Sequence, residues 1–289
     1  MREITVAVIG GDKRFVSAAQ SFLTREKVLV MLAGFERLDT LPPCSNPYEA
    51  AASADVLVLP LPCSVDGINV NAPFSDKEIP LERLFRSIRG ETLIFGGKVD
   101  RQMQSIAAEN GFEISDYLCR EELAVLNAVP TAEGAIEIAL RELPTTLWGQ
   151  SVLVCGFGRI GKTLAADLKA LGSEVTVCAR KQSDLAWCSV DGYKGTSFDR
   201  LKDDLYKYSV IFNTVPSMIF DAQMLGQTAE DVLIIDLASK PGGVDLESAK
   251  RLARRTVWAL SLPGKVAPVT AGQIIARTIT NVLLEKSLL

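Results

Sequence analysis

Hydrophobic and polar positions follow two periods along this chain. Short runs that are apolar almost throughout recur as ITVAVIG (4–10), VLVMLA (28–33), DVLVLPLP (55–62), TLIFGG (92–97) and FEIS (112–115). Runs of this length predict strands buried on both faces. Between them, apolar residues return every three or four positions, as in Phe15, Ala18, Ala19, Phe22 and Leu23, the spacing of one helix face. A further helical stretch at about 99–110 separates the last two strands. Strand and helix alternating in this way predict a parallel sheet covered on both sides, here over residues 1–129.

The same rhythm restarts downstream. SVLVCGFG (151–158), EVTVC (174–178), SVIFNT (209–214), VLIID (232–236) and TVWAL (256–260) read as strands. Ile160, Leu164, Leu168 and Leu171 mark the helix after the first of them. Between the two series, NAVPTAEGAIEIALREL (127–143) predicts a helix capped by Thr131, with Pro130 before it and Pro144 ending it. Residues 130–148 are thus expected to cross between domains. The segment 266–289 reads as one last helix, and 268–289 is expected to return and complete the first domain. The fold class predicted is α/β: two Rossmann-like parallel-sheet domains with a cleft between them, the second spanning 149–267.

Length agrees, since 289 residues suggest about two domains. The chain is 48% hydrophobic and 23% charged with a net charge of −4, so its totals point to neither nucleic acid nor membrane as a partner. MREITVAVIGGD lacks the long apolar core of a secretory signal, and a cytoplasmic location is expected. The 6 cysteines form no C-x-x-C pair and there is no histidine, so no metal site is expected. Acid–base chemistry is left to Asp, Glu, Lys, Tyr, Cys or water.

Residues 156–163, GFGRIGKT, satisfy two incompatible motifs. Gly156, Gly158 and Gly161 form the G-x-G-x-x-G turn that seats a dinucleotide pyrophosphate, with Arg159 and Ile160 inside it. Gly156, Gly161, Lys162 and Thr163 form the phosphate loop of an NTPase, and Asp236 at a later strand end resembles its Mg²⁺-ordering acid. Ile160 already belongs to the apolar helix face, so the helix starts near Gly158, which favours the dinucleotide. About 20 residues on, where the adenosine ribose is read, the strand ends in Ala179, Arg180 and Lys181. A carboxylate there would repel a 2′-phosphate, whereas Arg binds one through a two-pronged pair, so NADP(H) is expected over NAD(H). Other strand ends should complete the cofactor rim: Thr214, Val215 and Pro216, then Ala238 and Ser239, then Pro263.

The ordered set VIGGDKR, NAVPTAEG, GFGRIG, CAR, NTVPSMIF, IDLASKPGGVD and LPGKVAPVTAGQI resembles the A-subunit family of dipicolinate synthase, from endospore-forming bacteria, over nearly the whole chain. The resemblance implies an architecture like that of two-domain hydroxyacid and alanine dehydrogenases. It implies a pyridine-nucleotide oxidation of a dihydrodipicolinate-type ring to pyridine-2,6-dicarboxylate. A second, flavoprotein-like B subunit and a role in the mother cell during sporulation are implied with it. A small dicarboxylate substrate and a homo-oligomer are also expected.

Such a substrate needs cationic or N–H partners. Asp12 and Arg14 follow the first strand, and Arg14 is a candidate carboxylate clamp. Lys240, after Ser239, is a second anion ligand and a candidate catalytic group. Thr131 and Glu133 open the expected crossing helix, Thr131 as a carboxylate ligand and Glu133 as proton acceptor; a plain helix cap with a first-turn acid explains both equally. Ser64 and Lys98 are weaker loop candidates, and Cys63 is read as a packed thiol. The rival functions are a shikimate- or hydroxyacid-type NADP dehydrogenase, a non-catalytic nucleotide-binding or redox-sensing protein, and the NTPase.

Overall fold

A computed structural model describes residues 3–289. The chain forms two compact units, one of residues 1–126 with 267–289 and the other of 127–266.

In the first unit, strands β1 (Ile4–Ile9), β2 (Val28–Ala33), β3 (Val56–Val58), β4 (Leu93–Gly96) and β5 (Ile114–Asp116) make a parallel sheet ordered β2-β1-β3-β4-β5. Successive side chains of β1 point to opposite faces. Val6 and Val8 join Phe15 and Phe22 of α1 (Lys13–Leu23), while Ala7 and Ile9 join the core beneath α2 (Pro47–Ser53), α3 (Leu81–Ser87) and α4 (Arg101–Glu109). This explains why β1 is apolar at nearly every position rather than at alternate ones.

Helix α5 spans Glu121–Glu142, with Pro130 inside it. The expected start at Thr131 is therefore corrected. A proline within a helix costs about 3 kcal/mol, but good helix formers flank this one, and Leu123, Ala128, Ala132, Ala135 and Ala139 are all buried. The Thr131 hydroxyl donates 2.7 Å back to the Asn127 carbonyl, so it is spent within the helix rather than at a cap. Among the described residues α5 alone is long and apolar enough to cross a bilayer, and half of its qualifying window is buried in protein.

The second unit carries six parallel strands, β6 (Ser151–Cys155), β7 (Glu174–Cys178), β8 (Lys194–Thr196), β9 (Val210–Asn213), β10 (Leu233–Asp236) and β11 (Arg255–Trp258), ordered β11-β10-β9-β6-β7-β8. Its helices are α6 (Arg159–Ala170), α7 (Gln182–Val190), α8 (Phe198–Leu201), α9 (Ala222–Gly226), α10 (Leu246–Arg251) and α11 (Leu262–Val266). Val152 and Val154 face Leu164 and Leu168 of α6, whereas Leu153 and Cys155 face the opposite layer with Cys178 and Ile211. β8 was not expected: its three residues, Lys-Gly-Thr, have no apolar run, and an edge strand needs only its neighbour's backbone.

The last helix, α12 (Pro268–Glu285), starts later than the single element expected over 266–289. Pro268 has no amide hydrogen and drives the preceding residue out of the helical region, and Ala267 accordingly has φ −140° and ψ 61°. α12 belongs to the first unit, where Ile275, Ile279 and Leu283 complete the core begun by β1 and α1. Its approach to α1 requires Gly272, because a Cβ there would lie 2.1 Å from the Arg14 carbonyl oxygen.

Candidate dinucleotide site

β6 is flanked by β7 on one side and by β9 on the other, so the chain reverses its direction of winding at the carboxyl end of β6. Ligands of open α/β sheets bind at this switch point. The turn there uses its three glycines in three ways. Gly156 has φ +96°, and a Cβ on it would stand 2.3 Å from the Thr214 hydroxyl. That hydroxyl donates to the Cys155 carbonyl at 2.8 Å, tying the β9 loop to the turn. Gly161 sits inside α6, where a Cβ would lie 2.1 Å from the Gly156 carbonyl oxygen. Gly158 is the helix N-cap and faces open space, with nothing within 4 Å of its Cβ position. No side chain caps α6, and its first turn carries no acid. A helix N-terminus left open and free of competing negative charge suits a pyrophosphate.

The NTPase reading meets opposing geometry. α6 already includes Arg159, and the Lys162 amide donates to the Gly158 carbonyl at 2.9 Å, so no loop arches around an anion before the helix begins. Lys162 Nζ lies 5.5 Å from the Phe157 ring centroid. Thr163 donates its hydroxyl back to the Arg159 carbonyl at 3.1 Å. Asp236 is 1% exposed, and its oxygens receive the Asn213 side-chain amide at 2.8 Å, the Ala238 amide at 3.1 Å and the Gly243 amide at 2.8 Å. Its acceptors are thus directed into the protein.

At the end of β7, Ala179 is buried and Arg180 and Lys181 are exposed, Lys181 serving as N-cap of α7. The Arg180 guanidinium has no side-chain partner among the described residues. Ile160 packs partly buried against the core, while Thr214 and Val215 are half-buried beside the turn and Pro216 is exposed. Ala238 is buried, its carbonyl receiving the Trp258 indole N–H at 3.0 Å, and Ser239 and Lys240 stand exposed beyond it. Pro263 lies in α11. Missed in the sequence reading was the Asn213 to Asp236 bond joining the ends of β9 and β10; the only signal for it was an Asp at a strand end followed by Gly242-Gly243.

The remaining candidates fall elsewhere. Asp12 caps α1 by accepting from the Arg14 amide, and its carboxylate also receives Arg14 Nη2 at 2.8 Å and Nε at 2.9 Å. Arg14 Nη2 donates further to the Leu61 carbonyl at 3.0 Å, so the guanidinium is already held at the carboxyl edge of the first sheet. Ser64 donates to Asp66 at 3.0 Å within a loop. The backbone donors of Asn69 and Ile68 hold the Asp66 carboxyl well below the usual range. The Lys98 amide points to Asp116 at 3.3 Å. Cys63 is buried beneath Gly97, donates to its carbonyl at 3.4 Å, and burial pushes its thiol up to about 12. Thr131 and Glu133 sit mid-helix in α5, so they have no free first-turn amides beside them, and the carboxylate pocket expected there is absent. Glu133 instead lies near Asp167, whose carboxyl is raised first by burial and then by that neighbouring charge.

Fold and turn together define a two-domain dehydrogenase-type protein with a nicotinamide-dinucleotide-binding domain. Residues 131–243 match the family "D-isomer specific 2-hydroxyacid dehydrogenase, NAD binding domain". Residues 5–118 match the family of N-terminal domains of the dipicolinate synthase A subunit. The chain is 33% identical over 288 residues to the dipicolinate synthase A subunit of Bacillus subtilis (strain 168), covering 98% of this chain and 96% of that one. The chain belongs to the family of dipicolinate synthase A subunits. The crystal structure of the B. subtilis protein superposes with a TM-score of 0.89 at 32% identity, covering 99% of this chain and 98% of the other. The corresponding protein from Bacillus halodurans gives 0.89 at 28%, with 98% of each chain covered. A Sinorhizobium meliloti transhydrogenase shares the fold at TM-score 0.71 and 15% identity, over 96% of this chain and 92% of its own.

Proposed function

We propose that this chain is the NADP(H)-dependent subunit of a dipicolinate synthase, oxidising a dihydrodipicolinate-type ring to pyridine-2,6-dicarboxylate in the cytoplasm of a sporulating mother cell. The observation that carries the reaction is the full-length similarity to the B. subtilis protein. The observation that carries the phosphorylated cofactor is Ala179-Arg180-Lys181, a strand end whose guanidinium has no side-chain partner among the described residues, where an NAD-preferring domain usually carries an acid. Gly156, Gly158, Arg159, Ile160 and Gly161 would seat the pyrophosphate, Arg180 and Lys181 the 2′-phosphate, and Thr214, Val215, Pro216, Ala238, Ser239 and Pro263 the nicotinamide half.

A bound nicotinamide would supply the hydride acceptor, and the substrate ring, giving up that hydride and a proton, would become aromatic. Because the product is aromatic, the protein's task is orientation more than strong base catalysis. Lys240 would attract a substrate carboxylate, and Arg14, oriented by Asp12, would hold the other. Glu133 remains the proposed proton acceptor, and Ser64 a weaker contact. The relatives' naming as one subunit of a synthase supports a second subunit, which we propose is flavoprotein-like, and a homo-oligomer is proposed alongside it.

Thermal stabilisation by NADP, NAD and ATP with Mg²⁺, followed by turnover of freshly generated dihydrodipicolinate with and without the flavoprotein-like partner, tests the reading. Stabilisation by NADP and turnover are expected. A response to ATP with Mg²⁺ alone would overturn it, and cofactor binding without turnover in either setting would leave a sensor.

A further inference from the structure

Asn213 and Asp236 are the last residues of neighbouring strands and stand opposite each other in the register of β9 and β10. Both are buried, at 0% and 1% exposure. Asn213 turns its amide N–H to Asp236 Oδ1 at 2.8 Å and to the Val215 carbonyl at 3.1 Å, while its oxygen accepts from the Val215 amide at 3.2 Å. Three donors converge on the two Asp236 oxygens, the pattern met by an acceptor-only carboxylate. Two of those donors, the Ala238 and Gly243 amides, lie at the ends of the arc that carries Ser239 and Lys240. Gly243 can have no side chain here, since a Cβ would stand 2.2 Å from Asn213 Nδ2.

The carboxylate has hydrogen-bond donors but no ion pair among the described residues. A buried charge that lacks a partner of opposite sign is costly, and it favours any cation that arrives nearby. Under the proposed reading, the nicotinamide half of the cofactor lies along these same strand ends. Its oxidised ring is cationic and its reduced ring is neutral.

We infer that Asp236, held in place by Asn213, is a positioning residue that braces the Lys240 arc and also supplies the negative field that favours the oxidised cofactor over the reduced one. The inference rests on the nucleotide reading of the second domain. It adds that the enzyme is biased toward holding the oxidised reactant and releasing the reduced product.

The test is the ratio of dissociation constants for NADP⁺ and NADPH, measured by calorimetry on the full chain. Asp236→Ser removes the charge without setting a donor against the Gly243 amide, and Asp236→Asn, which keeps the volume, is the second variant. In both, NADP⁺ should weaken at least about threefold more than NADPH. The exchange N213D/D236N keeps one charge in the pair and should return the ratio toward that of the parent protein. A purely structural brace predicts equal weakening of both forms, and that result, or an unchanged ratio, would overturn the inference. A parent protein that binds neither form would instead sink the nucleotide reading and take the inference with it.

Discussion

Gly161 and Gly156 are in contact across the first turn of α6, so close that a Cβ on Gly161 would sit 2.1 Å from the Gly156 carbonyl oxygen. The contact is with backbone, which has no rotamer to yield. Gly161→Ala should therefore destabilise the second unit by about 1–3 kcal/mol, the usual range for overpacking. It should also weaken dinucleotide binding by displacing the helix N-terminus. Urea unfolding and cofactor titration check the two effects separately.

Gly158 makes the opposite prediction. Nothing lies within 4 Å of its Cβ position, so Gly158→Ala should leave the fold's stability nearly unchanged. The added methyl would instead occupy the space assigned to the pyrophosphate. Loss of cofactor binding with an unaltered unfolding midpoint is the expected result. Retained affinity would mean that the anion does not sit there.

Arg180 is the residue proposed to distinguish the two nicotinamide cofactors. Its exposed guanidinium has no side-chain partner among the described residues to compete for it. Arg180→Asp should lower NADP affinity by about tenfold or more, the scale of a lost charge-assisted pair. NAD affinity should hold or rise. Equal affinity of the parent protein for both cofactors would count against the assignment.

The two proposed substrate cations should behave differently. Lys240 is exposed, so Lys240→Ala should raise KM while leaving thermal stability alone. The Arg14 side chain is 13% exposed and bound to Asp12 and the Leu61 carbonyl, so Arg14→Ala should lower stability as well as raise KM. Steady-state kinetics beside thermal melts distinguish them. Unchanged KM in both variants would remove them from the site.

Cys63 gives a pH dependence with a fixed sign. Burial raises its thiol from 9.0 to about 12, so the folded state favours the protonated form. Because the folded value lies above the unfolded one, no stability is lost to this thiol below about pH 9, and the fold loses stability as pH climbs from 9 toward 12. At pH 8 the thiol should resist alkylation in the folded protein and react only on unfolding, whereas exposed Cys119 should react at once. Mass mapping of labelled cysteines decides the matter.

Much of the architecture was legible because it follows from local pattern. Strands such as β1, buried on both faces, must be apolar at nearly every position, and the spacing of Gly156, Gly158 and Gly161 carries its own geometry. Legibility failed where a local signal had two meanings. Pro130 looked like a helix boundary, yet buried alanines on both sides keep α5 continuous through it. It also failed for β8, since an edge strand held by its neighbour's backbone needs no hydrophobic run. The Asn213–Asp236 bond was hidden for a third reason: its partners are 23 residues apart and meet only through strand register. The Arg14–Asp12 pair was within reach, because an Asp at an N-cap is well placed to hold a side chain two residues on.

The placement of α12 in the first unit sets an order of events during synthesis. The ribosome delivers β1 through β5 first, but the core that Val6 and Val8 share with Phe15 and Phe22 of α1 lacks its second helix until α12 emerges. The later unit, 127–266, is continuous in sequence and reaches completion before the earlier one does. A nascent chain halted short of Pro268 would thus display a finished nucleotide-binding half tethered to an open, sticky sheet, and quality-control machinery would meet its substrate at the amino-terminal side.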